Sequence, residues 1–108
     1  MGGFPVYFWY NNGMNPVRDH GVMFYVYIIK SKKSAIWYTG STNDLRKRFK
    51  EHNNNQSTYT KLKGPWELIY YEACLNNEDM RSRELYLKSG MGKRYIKNRL
   101  KRFLSLTG

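Results

Sequence analysis

The chain carries two hydrophobic rhythms. From Phe24 to Ile29 every residue is β-branched or aromatic, which predicts a strand apolar on both faces and therefore central in its sheet. Alternation points Phe24, Val26 and Ile28 one way and Tyr25, Tyr27 and Ile29 the other. Lys32-Lys33-Ser34 is a polar interval of hairpin length, and Ala35 to Gly40 predicts a second strand with Ile36, Tyr38 and Gly40 on one face. Such a hairpin can bring Tyr27 and Tyr38 to the same side of the sheet. Trp66 to Ala73 predicts a third strand, with Glu67 and Glu72 near its ends.

The other rhythm is helical. With Ser41 or Thr42 as N-cap and a start near Asn43, an advance of about 100° per residue sets Leu45, Arg48, Phe49 and His52 on one stripe. Arg46, Lys47, Lys50 and Glu51 take the opposite face. Asn76 reads as the N-cap of a second helix, with acids in its first turn, Gly90 as its stop, and Met80, Glu84, Leu87 and Met91 on one stripe. A last helix over residues 93–104 turns Ile96, Leu100, Phe103 and Leu104 inward and leaves a basic outer face. The order β-β-α-β-α-α gives an α+β fold, a small three-stranded antiparallel sheet flanked by helices. Residues 53–65 read as a surface loop rich in hydrogen-bond donors. Residues 1–22 hold Gly2-Gly3, Pro5, Asn11-Asn12-Gly13, Pro16 and Gly21, and read as an irregular N-terminal arm or extension before a domain over 23–108.

Charge narrows the partners. A formal net charge of +11 on 108 residues draws phosphate by long-range field and counterion release, which makes nucleic acid the first partner to consider and an anionic membrane surface the second. The candidate contacts are Lys47, Lys50, Tyr59, Lys61, Lys63, Lys93, Arg94 and Lys97. Ten tyrosines, five phenylalanines and three tryptophans can fill a small core and can also stack on unpaired bases. Cys74 is the only cysteine, which excludes a disulfide framework and a cysteine-based zinc site. No apolar run approaches the ~18 to 20 residues of a membrane span, and the start of the chain lacks the pattern of a signal peptide. The expected location is cytoplasmic.

Four kinds of side chain carry candidate chemistry: Tyr27 and Tyr38, Arg48, His52 and Glu84. Each alone has an ordinary reading. Strand tyrosines pack, a helical arginine is solvated, His52 near a helix end suits the negative dipole terminus, and Glu84 could pair with Arg83 or Arg48. Glu84 nevertheless interrupts an apolar stripe, which is costly unless a cation or donors meet it. Together the set supplies what phosphodiester hydrolysis needs: a group to deprotonate water, neutralisation of charge on the nonbridging oxygens, and stabilisation of the leaving oxygen. Arginine matches phosphate with a rigid fork of donors. One carboxylate with waters and substrate oxygens is an ordinary way to hold Mg²⁺. A tyrosine with its usual pKa of ~10 is a poor base at neutral pH, so neighbouring cations would have to favour its phenolate.

The pattern Tyr25-Val26-Tyr27, then Tyr38-Thr39-Gly40, then Asn43-Asp44-Leu45 leading to Arg48 and His52, then Arg83-Glu84 before Tyr86-Leu87-Lys88-Ser89-Gly90 resembles the GIY-YIG nuclease family. It is most similar to the small single-domain bacterial UPF0213 group, over about residues 23 to 104. The resemblance implies a DNA-cleaving domain of three antiparallel strands and flanking helices, using one divalent ion, Mg²⁺ or Mn²⁺. It implies Tyr27 and Tyr38 as the motif tyrosines, one of them the base or water-orienting group. Arg48 would be the phosphate-binding arginine, His52 a position held by His or Tyr in relatives, and Glu84 the metal ligand. Gly40 is expected to let the backbone turn tightly behind the site. The motif's glycine is replaced by Tyr25 and its isoleucine by Thr39, Ser41 stands where excision-repair relatives carry a lysine, and Asn98 is the candidate for a late site asparagine. DNA is favoured over RNA, in repair or recombination, with shape or unpaired features recognised and a targeting protein as a candidate partner. The alternative on the same fold is a nucleic-acid-binding module without turnover.

Overall fold

A computed structural model describes residues 23–106; the N-terminal arm read from the sequence lies outside the described residues. Three strands, β1 (Phe24–Ser31), β2 (Trp37–Thr42) and β3 (Trp66–Cys74), form one antiparallel sheet in the order β2-β1-β3. The strand that is apolar on both faces is therefore the central one. The second strand lies two residues later than its hydrophobic run suggests. Ser31 N–H donates to the Ile36 carbonyl at 2.9 Å, which closes a longer loop over residues 32–36 and leaves Ile36 exposed.

Side chains opposite one another on paired strands share a face, so β1 distributes the core. Tyr25, Tyr27 and Ile29 join Leu45, Phe49, Trp66, Leu68 and Tyr71 on one side of the sheet, with Tyr38 packed against them. Val26 and Ile28 join Tyr70, Met80, Leu87 and Ile96 on the other. A register shift between Ile28 and Ile29 sets Ile28 opposite Tyr70 and Ile29 opposite Leu68. That bulge at Ile69 reverses the alternation of β3, and without it Leu68 and Trp66 would face away from the layer they fill.

The first layer is covered by α1 (Leu45–Asn53). Its cap is Asp44, whose carboxylate accepts from Lys47 N–H at 3.2 Å. Ser41 and Thr42, the expected caps, belong to β2, and Thr42 Oγ1 accepts from Asp44 N–H one turn earlier. Asn53 ties the end of α1 to β3. Its amide oxygen accepts from Trp66 N–H at 2.6 Å and its NH₂ donates to the Trp66 carbonyl at 3.3 Å.

The second layer is a helical corner, α2 (Asn77–Lys88) and α3 (Gly90–Arg99), followed by a short α4 (Lys101–Leu106). Asn76 caps α2 as the sequence predicts, accepting from Glu78 and Asp79 N–H. Gly90, the expected stop of α2, instead opens α3, and the single helix expected over 93–104 is broken at Leu100. The chain turns at Ser89, whose hydroxyl accepts from Gly92 N–H while its backbone N–H donates to the Tyr86 carbonyl. Met91, placed by periodicity on the inward stripe of α2, sits on α3 and is exposed. Gly92 is where the two helices touch backbone to backbone. A Cβ there would run into the Tyr86 carbonyl oxygen and come to 2.5 Å from Leu87 Cα.

Gly92→Ala is accordingly expected to destabilise the fold by about 3 kcal/mol or more, because backbone rather than a flexible side chain would have to move. Gly90→Ala, with nothing within 4 Å of an added Cβ, is expected to stay within about 1 kcal/mol. Urea denaturation of both variants checks the contrast; equal midpoints would refute the close approach.

Candidate active site

The tyrosines meet as alternation requires. Tyr27 stands opposite Gly40, and Tyr38 opposite Ile29, on the same face of the β1–β2 pair. Their ring centroids are 6.4 Å apart. Gly40 does not make a tight turn, contrary to the expectation, since it lies within β2 and its φ is outside the left-handed region. It makes room. A Cβ at this position would lie 2.6 Å from the Tyr27 hydroxyl oxygen and 2.9 Å from Tyr38 Cε2.

Beneath that hydroxyl runs a buried chain of polar groups. Tyr27 Oη is 2.6 Å from His52 Nε2, and His52 Nδ1 is 2.7 Å from Thr60 Oγ1. All three residues are sealed from water. Burial, with the Arg48 guanidinium as the second cause, lowers the His52 pKa from 6.5 to about 4, so the ring is neutral near pH 7. Burial also raises the Tyr27 pKa, aided by Tyr38 and Glu84 and opposed by Arg48. With Arg48 as the one cation acting on it among the described residues, desolvation outweighs the guanidinium and the phenol keeps its proton. A hydroxyl that keeps its proton donates to Nε2, and the Nδ1–H then donates to Thr60.

Arg48 and Glu84 stand on helices that cover opposite sides of the sheet. Arg48 rises from α1 with its side chain 31% exposed, donating to Glu51 at 3.0 Å and to Ser57 Oγ at 3.3 Å. Glu51, expected on the far face of the helix, bends back to it. Glu84 rises from α2 with its side chain 19% exposed. Its Oε1 accepts from Ser41 Oγ at 2.8 Å and its Oε2 pairs with Lys88 Nζ at 3.1 Å. Neither Arg83 nor Arg48 is its partner. Arg83 instead donates twice to Glu72, at 2.9 and 2.6 Å. The two helices cover different faces; the Arg48 guanidinium favours the Tyr27 phenolate, and the Glu84 charge, the least of the causes, disfavours it.

The loop over residues 53–65 is not merely surface. It buries Ser57 and Thr60 against Arg48 and His52 and lays Tyr59 on Tyr38, with ring centroids 5.5 Å apart. Lys63 Nζ sits 4.5 Å above the Tyr59 ring. A cavity of about 470 Å³ opens beside Tyr38, bounded by Tyr59, Trp37, Thr39, Lys88 and Lys93 among others. Of the expected nucleic-acid contacts, Tyr59, Lys63 and Lys93 thus gather here, while Lys47, Lys50, Lys61, Arg94 and Lys97 are exposed outside this group. Asn98 is likewise exposed on α3, and Tyr25 is a core ring edge-on to Tyr71. Reading the sequence missed four participants. Lys88 was visible as the i+4 partner of Glu84, and Ser41 faces α2 by simple alternation from Val26. Ser57 and Thr60 left no periodic signal, since a loop sets their positions. Among the described residues no cluster of three or more His, Cys, Asp or Glu could hold a metal ion, and no helix is long and apolar enough to cross a membrane.

A profile described as the GIY-YIG catalytic domain matches residues 23–101. The UPF0213 protein CPE1444 of Clostridium perfringens is 48% identical over 67 residues, covering 61% of this chain and 71% of that protein. The UPF0213 protein YazA of Bacillus subtilis is 40% identical over 65 residues, 59% of this chain and 65% of that protein. The solution NMR structure of the UPF0213 protein BH0048 from Bacillus halodurans matches with a TM-score of 0.45 at 32% identity, over 70% of this chain and 83% of that one.

The neutral, buried histidine has a measurable consequence. Its folded pKa of about 4 lies below the 6.5 of the free side chain, so the unfolded chain binds the extra proton first. The stabilisation is complete above pH 6.5 and is lost as pH falls toward 4. Between pH 7.5 and 5 the loss is expected to be about 2 kcal/mol. Urea titrations at the two pH values check it. The loss should shrink sharply in His52→Gln, and an unchanged pH dependence in that variant would refute the assignment.

Proposed function

This chain belongs to the GIY-YIG catalytic-domain family, and on that premise we propose that it is a divalent-metal-dependent endonuclease hydrolysing DNA phosphodiester bonds. The family implies nuclease-type chemistry on nucleic acid with a divalent metal; the assignment of roles to residues is ours. One observation carries it. Neighbouring residues of the edge strand β2 tie the candidate groups together: Gly40 makes room for the Tyr27 hydroxyl, and Ser41 beside it donates to Glu84.

The residues fit a divalent ion of the Mg²⁺ or Mn²⁺ type. Glu84 is one partly exposed carboxylate with no protein cage around it, the donor set of an ion that keeps its waters and takes further oxygens from phosphate. Lys88 holds that carboxylate with a half-exposed ammonium, and a surface pair of this kind is held weakly enough to exchange. When bound, the ion supplies neutralisation of charge developing on the phosphate. Arg48 grips a nonbridging oxygen from the other face, as a fork that never loses its charge. Ser41 Oγ, hydrogen-bonded to Glu84 Oε1, fixes the direction of the carboxylate. Ser41 stands where some relatives have lysine, but an ammonium is still present beside Glu84, delivered by Lys88.

Tyr27 is the base or water-orienting group in this reading. The Glu84 charge is the least of the causes that raise its pKa, and a cation held by that carboxylate would offset it. His52 Nε2, at 2.6 Å from Oη, fixes the direction of the hydroxyl and is the nearest acceptor for its proton. Tyr38 flanks the hydroxyl and forms the border to the cavity. Repair or recombination is the process we propose for such an activity, with unpaired or branched DNA as substrate.

The test is incubation with labelled single-stranded, duplex and branched DNA in Mg²⁺, Mn²⁺ and chelator. Cleavage is expected only with metal. Arg48→Ala and Glu84→Ala should each lose at least about 100-fold in rate while keeping the urea midpoint near that of the parent. Full activity in either variant refutes the proposal. The Glu84–Lys88 pair favours the second reading, binding without turnover, and that reading requires salt-sensitive binding that ignores chelator and survives Glu84→Ala.

A further inference from the structure

Beside the proposed catalytic groups lies a cavity that phosphodiester chemistry does not use. Its volume, about 470 Å³, is in the range of small-ligand sites. Trp37 and Tyr38 come from β2, Tyr59 from the loop, Ile96 lines its apolar part, and Lys88 and Lys93 supply ammonium groups. Lys88, Lys93 and Tyr59 are exposed, so the cavity is open to solvent on that side. Tyr59 is 63% exposed and yet is not adrift. Tyr38 packs on it at 5.5 Å and Lys63 Nζ sits 4.5 Å from its ring centre. An aromatic ring fixed in place while mostly open to water is a surface awaiting a flat partner.

From these features we infer that the cavity receives one unpaired nucleobase of the substrate strand, next to the phosphate to be cut. The inference rests on the nuclease reading and names its substrate feature. A base offers an apolar π-face to Tyr59 at the mouth of the cavity, and the phosphates on either side of it are anions for Lys88 and Lys93. Rings and ammonium groups in one cavity match that combination; a purely apolar guest would leave the lysines without a role, and an inorganic anion would leave the rings without one. Adjacency to the reaction follows from shared residues. Tyr38 borders both the cavity and Tyr27, and Lys88 at the rim pairs with Glu84 at 3.1 Å. A base held within a duplex cannot enter, so selectivity for bulged, flipped or single-stranded nucleotides is built into the wall of the site.

A duplex with a single bulged nucleotide, compared with the same duplex bearing a bulged abasic site, isolates the base while fixing the register. Glu84→Gln protein, which leaves the DNA uncut, is titrated with both by fluorescence anisotropy. The bulged base is expected to bind roughly tenfold more tightly, the size of one stacked base. Tyr59→Ala, introduced into the same background, should bring the ratio close to one. Equal affinity for the two duplexes overturns the proposal, as does a ratio that Tyr59→Ala leaves intact, which would put base recognition elsewhere. Failure of the nuclease reading looks different: the ratio stands while the parent protein cuts neither duplex in Mg²⁺ or Mn²⁺. Absence of binding to either duplex overturns both.

Discussion

A polar group buried without a partner costs more than most single contacts contribute, and this small domain avoids that cost for three buried polar groups in series. Tyr27, His52 and Thr60 satisfy one another across a strand, a helix and a loop. Each needs the next in place, so the hydrogen-bond chain specifies how α1 sits on the sheet and how far the loop must fold inward. Once Thr60 is anchored, Tyr59 has little choice but to lie on Tyr38, and Ser57 is carried to Arg48. The outer features of the site are thus set by an interior constraint. Gly40 is the condition for all of it, because any side chain there would occupy the space of the Tyr27 hydroxyl.

Placing a site at an edge strand solves a geometric problem for a sheet of three strands. Helices on opposite faces are separated by the sheet's thickness, and their side chains meet only where it ends. Glu84 reaches β2 from one face through Ser41, and Arg48 approaches from the other. In the proposed reading, an arginine on one face and a carboxylate that holds a cation on the other would bracket a phosphate without neutralising each other. Each has a weaker local partner in the meantime, Lys88 for Glu84 and Glu51 for Arg48, and both pairs are partly exposed. Exposed pairs contribute little to stability, so exchanging them for a substrate costs little.

Much of this was legible in the sequence, for physical reasons. The uninterrupted β-branched and aromatic run of β1 marks a strand buried on both faces, and the central position follows. The Asn76 cap is chemistry local to one turn. Arg48, His52 and Glu84 stood out because each breaks an apolar stripe. What could not be read depended on distance along the chain. The Ile69 bulge is visible only against β1, Thr60 only against His52, and the turn at Ser89 only through the close approach of Gly92 to α2. The desolvation of Tyr27 is likewise a property of the folded environment, which no count of charges along the chain reveals.

The position of β2 has one more consequence. An unpaired strand edge exposes a row of peptide donors and acceptors that can template pairing with a second molecule, a hazard that lysine-rich surroundings suppress by mutual repulsion. Among the described residues nothing pairs with the outer edge of β2. A formal charge of +11 opposes the approach of an identical copy to it, and in the proposed reading the same charge draws the polyanion, so fewer basic residues would act twice, weakening that capture and loosening the barrier to self-association at the strand.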